Sequence, residues 1–127
     1  MENNSYIYPY QYPNAYEDTN QHTVFSRTLL DSAKKAVRES TNDFDDEILS
    51  YIEGCAQDLI DAGILPSFFE VTDKDVWQCD PRILQAVRWY CQGHYGLYNA
   101  DMEKYLNAYA SLKATLCTQR RYTKKEF

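Results

Sequence analysis

The chain has 127 residues, 44% of them hydrophobic and 25% charged, which is typical of one globular domain and argues against a disordered chain. Its net charge of −6 at pH 7 excludes a general electrostatic binder of DNA. No apolar run approaches the roughly 20 residues that a membrane-spanning helix needs, and the first residues lack the basic and apolar regions of a secretion signal. We therefore expect a soluble intracellular protein.

The first 24 residues contain five tyrosines and two prolines but almost no aliphatic side chains. Such a segment cannot form a core of its own, and its prolines disfavour a helix. Four of the tyrosines alternate at a period of two residues, which places them on one side of an extended chain. Residues 1–24 are therefore either a flexible leader or an extended arm that becomes ordered against a neighbouring molecule. The alternating tyrosines are Tyr6, Tyr8, Tyr10 and Tyr12.

A first helix is predicted from Phe25, because apolar residues then recur at steps of three and four. Ser26 or Thr28 is expected to cap its start. Three cations fall in its second half, where positive charge suits the carboxyl end of a helix, and the pattern breaks at residues 40–42. These cations are Lys34, Lys35 and Arg38.

A second helix is predicted to begin at Asn42 and Asp43, since its first turn is rich in acids that favour the positive end of a helix. Its buried stripe is predicted to begin with Phe44 and to continue at helical spacing. Gly63 stands where a helix C-cap is expected. The acids of the first turn are Asp43, Asp45, Asp46 and Glu47.

Residues 64–80 contain Pro66 and a set of apolar and aromatic residues without helical phase. This pattern predicts a loop with one short extended piece, anchored by its aromatic side chains. Long loops of this kind are often functional in compact domains. The aromatic residues of this loop are Phe68, Phe69 and Trp77.

Two more helices follow the loop. Asp80 followed by Pro81 is a strong helix start, and the third helix is predicted to run from there to about Gly93. The fourth helix is predicted to be capped by Asn99 or Asp101 and to run through the last leucine of the chain.

These elements predict an all-α fold with a four-helix, bundle-like body and a long loop between the second and third helices. We divide the chain into an extended tyrosine-rich arm at 1–24, a helical body at 25–118 and a basic tail at 119–127. The tail carries four cations against one acid. It is either a frayed helix end or a docking segment.

The sequence contains no recognisable catalytic or metal-binding set. The four cysteines are at least 12 residues apart, without the close pairs that zinc sites use. Neighbouring acids of the second helix point to different faces, so they cannot converge on one ion. His94 has no nucleophile with an orienting carboxylate near it. We therefore expect neither an enzyme nor a bound metal or cofactor. Buried thiols are expected at Cys55, Cys79, Cys91 and Cys117.

A DNA-binding regulatory module is an alternative, because four helices can contain a helix-turn-helix. Residues 43–61, however, contain seven acids and no base, and no helix carries a basic face suited to the major groove. Only the C-terminal tail has the charge to contact phosphates. A non-virion helical binding protein is the other alternative.

Two runs of sequence carry a family resemblance. The run LLDSAKKAVRESTNDFDDEILSYIEGCAQDLIDAGI resembles the opening two helices of small phage head–tail connector (adaptor) proteins. The run DPRILQAVRWYCQGHYGLYNADMEKYLNAYASLKATL is similar to the second half of that family, with an Asp-Pro helix, a tight turn and a helix of the form AEKYxxxYxxLKxxL. The resemblance covers about residues 27–117 in order, whereas the arm and the aromatic loop depart from the family pattern.

The resemblance implies a structural virion protein without catalytic role or cofactor. Such proteins form a ring, usually of twelve copies, under the portal of a filled capsid in the phage neck. The ring joins head to tail, extends the DNA channel without sequence-specific binding, and contacts a stopper or tail component. The resemblance also implies assembly in the host cytoplasm and no membrane contact.

Candidate site residues fall into two sets. Arm, loop and tail residues are candidates for partner binding, because tyrosine-rich arms are interface-type segments and the family's C-terminal segment commonly docks on the portal. The acids of the second helix line the channel, where negative charge repels passing DNA, or face solvent. The partner-binding set is Tyr6, Tyr8, Tyr10, Tyr12, Phe68, Phe69, Trp77, Arg120, Arg121, Tyr122, Lys124 and Lys125. The channel-lining set is Asp43, Asp45, Asp46 and Glu47.

Overall fold

The computed structural model describes residues 22–70, 79–96 and 100–123. These residues form five α-helices and one 3₁₀ helix, with no strand among them. The predicted all-α class with a body of four longer helices is confirmed. None of these helices combines the length and hydropathy of a segment that crosses a bilayer. The helices are α1 Val24–Val37, α2 Asp45–Asp61, the 3₁₀ helix Pro66–Phe69, α3 Pro81–His94, α4 Ala100–Cys117 and α5 Arg120–Thr123.

The start of α1 is capped by Thr23, whose Oγ1 accepts a hydrogen bond from the Ser26 backbone N–H at 3.1 Å. The predicted caps Ser26 and Thr28 are wrong, because both lie inside the helix. The Ser26 hydroxyl instead donates to Glu53 Oε2 on α2, at 2.8 Å. The serine that was expected to cap a helix end thus joins two helices.

The start of α2 has no side-chain cap, since Phe44 occupies the cap position. The missing cap is compensated by acids in the first turn, which interact favourably with the positive end of the helix dipole, as predicted. These acids are Asp45, Asp46 and Glu47. The expectation that Phe44 is buried is wrong: its side chain is 46% exposed, and the buried face begins at Ile48. Phe44 lies before the first helical turn, so the helical phase does not carry it to the core.

The end of α2 confirms the predicted role of Gly63. This glycine has a φ of +114°, which L-residues with a side chain rarely adopt. Its N–H donates to Ile60 O at 2.9 Å, and the Ile64 N–H donates to Leu59 O at 3.0 Å. Both bonds are those of a Schellman motif, and the two buried side chains Leu59 and Ile64 supply its usual apolar residues.

The loop after α2 differs from its prediction. The expected extended piece is not found among residues 64–70, and residues 71–78 lie outside the described residues. Residues 66–69 form a 3₁₀ helix. Pro66 stands at its start, where the fixed proline φ suits a helical turn and no N–H is needed. Of the predicted loop anchors, Trp77 lies outside the described residues.

The start of α3 confirms its prediction. The Asp80 carboxylate caps it, accepting from the N–H groups of Arg82 at 2.8 Å and Ile83 at 3.3 Å, and proline follows as the first helical residue. The start of α4 is at Ala100, so Asp101 lies within its first turn and is not the cap. Asn99 lies outside the described residues.

The core is centred on α3, which packs against α1, α2 and α4. Gly93 permits the closest of these contacts, since a Cβ atom there would lie 2.4 Å from Leu106 Cδ2 on α4. The body is therefore built as three helices around one central helix. The largest fully buried side chains are Leu29, Ile48, Leu49, Ile52, Leu59, Ile64, Ile83, Leu116 and Tyr122.

Candidate functional site

The described residues show no set for chemistry at a metal or a nucleophile. No group of three or more His, Cys, Asp or Glu side chains among them is arranged to hold a metal ion. Cys55, Cys79 and Cys91 are buried, and burial raises the pKa of the Cys79 and Cys91 thiols to about 12. Cys117 is half-buried and donates to Ala62 O at 3.4 Å. The three buried thiols are protonated at neutral pH and act as packing groups.

The C-terminal end of the described chain is anchored by Tyr122, which is completely buried. Its carbonyl accepts from the Leu65 N–H at 2.9 Å, and its ring lies against Phe68 with centroids 5.0 Å apart. Its hydroxyl lies 3.1 Å from Asp80 Oδ1 and accepts from Arg121 Nη1 at 2.7 Å. We call these contacts the C-terminal anchor. Residues 119–123 of the predicted tail therefore pack onto the body.

Asp80 is the charged centre of this anchor, with a side chain only 5% exposed. The same carboxylate caps α3, receives the Tyr122 hydroxyl and pairs with Arg121 Nη2 at 2.8 Å. Burial, and then the hydrogen bond to Asp80, raise the pKa of Tyr122. The Tyr122 ring is a core group in this conformation, so a partner can reach Arg120 and Arg121 on the surface but not this ring.

The two predicted loop aromatics are half-buried. Phe68 contacts the Tyr122 ring, and Phe69 meets Phe25 edge-on with ring centroids 5.1 Å apart. A pocket of about 220 Å³ opens beside Phe69, between the start of α1 and the outer side of α2. Seven predicted partner-binding residues lie outside the described residues: Tyr6, Tyr8, Tyr10, Tyr12, Trp77, Lys124 and Lys125.

The N-terminal end of the described chain is anchored by a carboxylate. Glu53 Oε2 accepts from the Thr23 N–H at 2.9 Å, from the Ser26 hydroxyl at 2.8 Å and from His22 Nδ1 at 2.8 Å. His22 Nε2 lies 2.6 Å from Asp46 Oδ1. We call these contacts the N-terminal anchor. One acid of the predicted channel-lining set is thereby tied to the start of the body.

The His22 ring lies between the carboxylates of Asp46 and Glu53, which accept hydrogen bonds. Because a carboxylate can only accept, bonds at both ring nitrogens require the doubly protonated imidazolium. Partial burial opposes that charge, but the hydrogen bonds and charges of Asp46 and Glu53 outweigh it and raise the pKa of His22. The anchor therefore depends on protonation.

The remaining acids of the predicted channel-lining set have separate environments. Asp45 Oδ1 pairs with Lys34 Nζ at 2.8 Å and joins α2 to α1. Glu47 is exposed and accepts from the Tyr51 hydroxyl at 3.0 Å, and Asp43 is also exposed. The structure thus divides the set into two acids that hold the body together and two that face outward. We call the exposed residues Asp43, Phe44 and Glu47 the acid turn.

A groove that the sequence did not predict runs between α1, α3 and α4. It consists of two adjoining clefts of about 580 and 470 Å³, which share Lys35, Ala36, Gln92 and Tyr105. Gln92 Nε2 donates a hydrogen bond to Ala36 O at 3.1 Å, and this bond closes the floor of the groove. Asp101 lines one end. We call this surface the basic groove, after its cations Lys35, Arg38 and Arg88; its aromatic residues are Trp89, Tyr95 and Tyr105.

The three cations of the basic groove form no ion pair within the described residues, whereas Lys34, Lys113 and Arg121 each have a carboxylate partner. From the sequence, Lys35 and Arg38 were expected at the carboxyl end of α1. Their spacing of three residues was a visible signal of a shared face. The convergence with a cation on α3 depends on helix packing, which the sequence did not reveal.

The family model for phage connector proteins matches residues 29–123, which is most of the chain. The chain belongs to the phage connector protein family. The match runs from α1 to the end of α5 and confirms the resemblance found in the sequence. This connector is thus related to structural head–tail components of bacteriophage particles. Comparisons with curated proteins and with solved structures gave no match.

Proposed function

We propose that this connector forms a closed ring in the phage neck, of twelve copies as the family resemblance implies. One face of the ring binds the portal, and the other receives a stopper or tail component. The DNA passes through the ring without sequence-specific contact. The observation that carries this proposal is the family match over residues 29–123, which begins within α1 and runs to the end of α5.

The distribution of charge supports a part that works by contact with neighbours. The net charge is −6, yet the basic groove and the tail concentrate positive charge. Charge separated in this way favours specific orientation between copies over nonspecific adhesion to DNA.

Portal binding is assigned to the end of the chain. The C-terminal anchor fixes Tyr122 to the body and leaves Arg120 exposed at the start of α5. The cations Arg120, Lys124 and Lys125 then meet an acidic rim on the portal. Attachment of this kind weakens as salt screens the charges.

The test is attachment to purified, DNA-filled capsids that contain a portal but lack neck proteins. The chain should bind one vertex, visible by electron microscopy, and binding should fall steeply with added salt. The variant Arg120→Ser, Lys124→Ser, Lys125→Ser should keep the fold and lose attachment. The matched control Lys104→Ser alters an exposed cation on α4. No binding by the wild-type chain contradicts the function, and normal binding by the triple variant contradicts the assignment to the tail.

The arm is assigned to a contact between subunits or with another neck protein. Replacing the arm tyrosines with serine removes large aromatic contacts but no residue of the described core. We expect assembly on the portal to weaken while the melting temperature of the monomer stays nearly unchanged. A fall of many degrees in that temperature contradicts the assignment. The replaced residues are Tyr6, Tyr8, Tyr10 and Tyr12.

A further inference from the structure

Two surfaces of the described body carry opposite charge. The acid turn presents the carboxylates of Asp43 and Glu47 beside Phe44, a large apolar side chain that is 46% exposed. The basic groove presents cations that form no ion pair within the described residues, together with aromatic side chains. Each surface carries what the other lacks, since one offers an aromatic ring between acids and the other offers aromatic walls between cations.

The two surfaces adjoin at one end of the groove, where the Phe44 ring meets the Tyr95 ring edge-on with centroids 6.1 Å apart. The helix α2 covers the side of α1 that carries Ser26 and Lys34, which contact Glu53 and Asp45. Ser32 lines the groove and precedes Lys34 by two residues, so it lies about 160° away around the helix axis. No residue of α2 lines the groove. Within the described part of one chain, however, the carboxylates of the acid turn form no ion pair with the groove's cations.

We propose that the basic groove of one copy binds the acid turn of the next copy, which is the contact that closes the ring; this inference rests on the proposed ring. Phe44 enters the groove beside Trp89 and Tyr105. The carboxylates of Asp43 and Glu47 pair with the groove's cations, and guanidinium–carboxylate pairs give the contact direction as well as attraction. The basic groove is thus a subunit-binding site.

The geometry has the form that a ring requires. A contact between two different surfaces lets every copy give one acid turn and receive another, so the chain of copies continues until it closes. A contact between two identical surfaces would stop at a dimer. The acid turn and the basic groove are two different surfaces, so a contact between them is of the kind that a cyclic assembly uses.

This proposal gives the exposed acids a place different from the channel wall. Asp45 and Asp46 are already engaged with Lys34 and His22 inside their own chain. Of the predicted channel-lining set, Asp43 and Glu47 are left to line a lumen, and a lumen position would leave the cations of the groove without a carboxylate partner. Binding between copies engages all of these groups at once.

The test mixes two variants that each lack one surface. The turn-less variant is Asp43→Asn, Glu47→Gln, and the groove-less variant is Lys35→Gln, Arg38→Asn, Arg88→Gln. Arg38 takes asparagine because its φ of 62° lies in the left-handed region that asparagine tolerates. Neither variant can bind itself by the proposed contact. Together they can form a single pair, in which the intact groove of the turn-less variant binds the intact acid turn of the groove-less variant.

The pair is measured by NMR at millimolar concentration, with ¹⁵N label on the turn-less chain. Adding the unlabelled groove-less chain should shift the Trp89 indole and the Gln92 amide resonances, and the shifts should shrink with salt. Adding unlabelled turn-less chain instead should shift neither. The control variant Lys104→Gln loses one exposed cation outside the groove. Its Trp89 and Gln92 resonances should respond as those of the wild-type chain do. Well-dispersed spectra establish that each variant is folded, and Arg88→Gln alone replaces the triple variant if they do not.

Absence of the groove shifts at millimolar concentration overturns the proposal, as do shifts that persist with turn-less chain as the titrant. Attachment to portal-containing capsids separates this result from the proposed function. If both variants still attach as complete rings, the contact is wrong and the ring role stands. If the wild-type chain does not attach at all, the proposed function fails whatever the NMR result.

Discussion

The two ends of the body are held by different kinds of interaction. The N-terminal anchor consists of hydrogen bonds and charges around Glu53, whose side chain is 28% exposed. The C-terminal anchor consists of a fully buried ring, Tyr122, with polar groups only at its tip. The first anchor responds to pH and salt, whereas the second responds to packing. The described body is thus held at one end electrostatically and at the other end by its core.

The largest effect that this comparison predicts is at the buried ring. Tyr122→Ala removes an aromatic side chain from the core and leaves a cavity, which should lower the free energy of unfolding by about 3–5 kcal/mol. Urea denaturation followed by circular dichroism measures the loss. Asn107→Ala on the exposed face of α4 is the control and should change stability by no more than about 0.5 kcal/mol. A loss below about 1 kcal/mol at Tyr122 would contradict the C-terminal anchor.

A smaller loss is expected at the electrostatic anchor. Glu53→Ala removes the acceptor of three hydrogen bonds, from Thr23, Ser26 and His22. Because water can reach part of this site, the expected loss is about 1–3 kcal/mol. The same denaturation experiment measures it, and hydrogen exchange should show faster opening at the first turn of α1. Asp61→Ala, at the exposed opposite end of α2, should have little effect.

The polar tip of the buried ring should matter less than the ring itself. Tyr122→Phe keeps the aromatic packing but removes the hydroxyl that contacts Asp80 and Arg121. We expect a loss of about 0.5–1.5 kcal/mol, the usual contribution of one hydrogen bond. Comparing this variant with Tyr122→Ala divides the anchor into its packing and polar parts. A loss as large as that of the alanine variant would show that the hydroxyl, rather than burial, holds the tail.

The smallest effect is the pH dependence of the N-terminal anchor. The pKa of His22 is raised in the folded chain, so the anchor contributes its full stability below about pH 6.5 and loses it as pH rises through the folded-state pKa. A contribution of about 0.5–1 kcal/mol is expected for a charge cluster near the surface. Unfolding free energies at pH 5.5 and 8.5 measure it for the wild-type chain and for His22→Gln. The wild-type chain should lose more stability with rising pH, and equal losses would contradict this account.

Local signals were enough to predict the helix ends that local chemistry determines. Asp80 with Pro81 specifies a helix start, and Gly63 specifies a left-handed stop, because each acts on backbone groups a few residues away. The expectation for Phe44 failed at the one apolar residue that stands just before its helix begins. Sequence periodicity cannot distinguish such a residue from the first member of a buried stripe.

The sites that depend on distant contacts were not predictable in this way. Tyr122 sits among arginines and lysines, so its surroundings in the sequence suggest an exposed tail. Its burial depends on Asp80 and Leu65, which lie far earlier in the chain. The basic groove likewise requires three helices to meet before its cations become neighbours.

The double role of Asp80 has a mechanical consequence. The carboxylate that begins α3 also holds Tyr122 and Arg121, so the end of α5 is fastened to the central helix of the body. A pull on the C-terminal residues by a bound partner is therefore transmitted to α3 directly and does not peel the outer helices away one by one. A load applied at this end thus enters the molecule at the helix that packs against α1, α2 and α4.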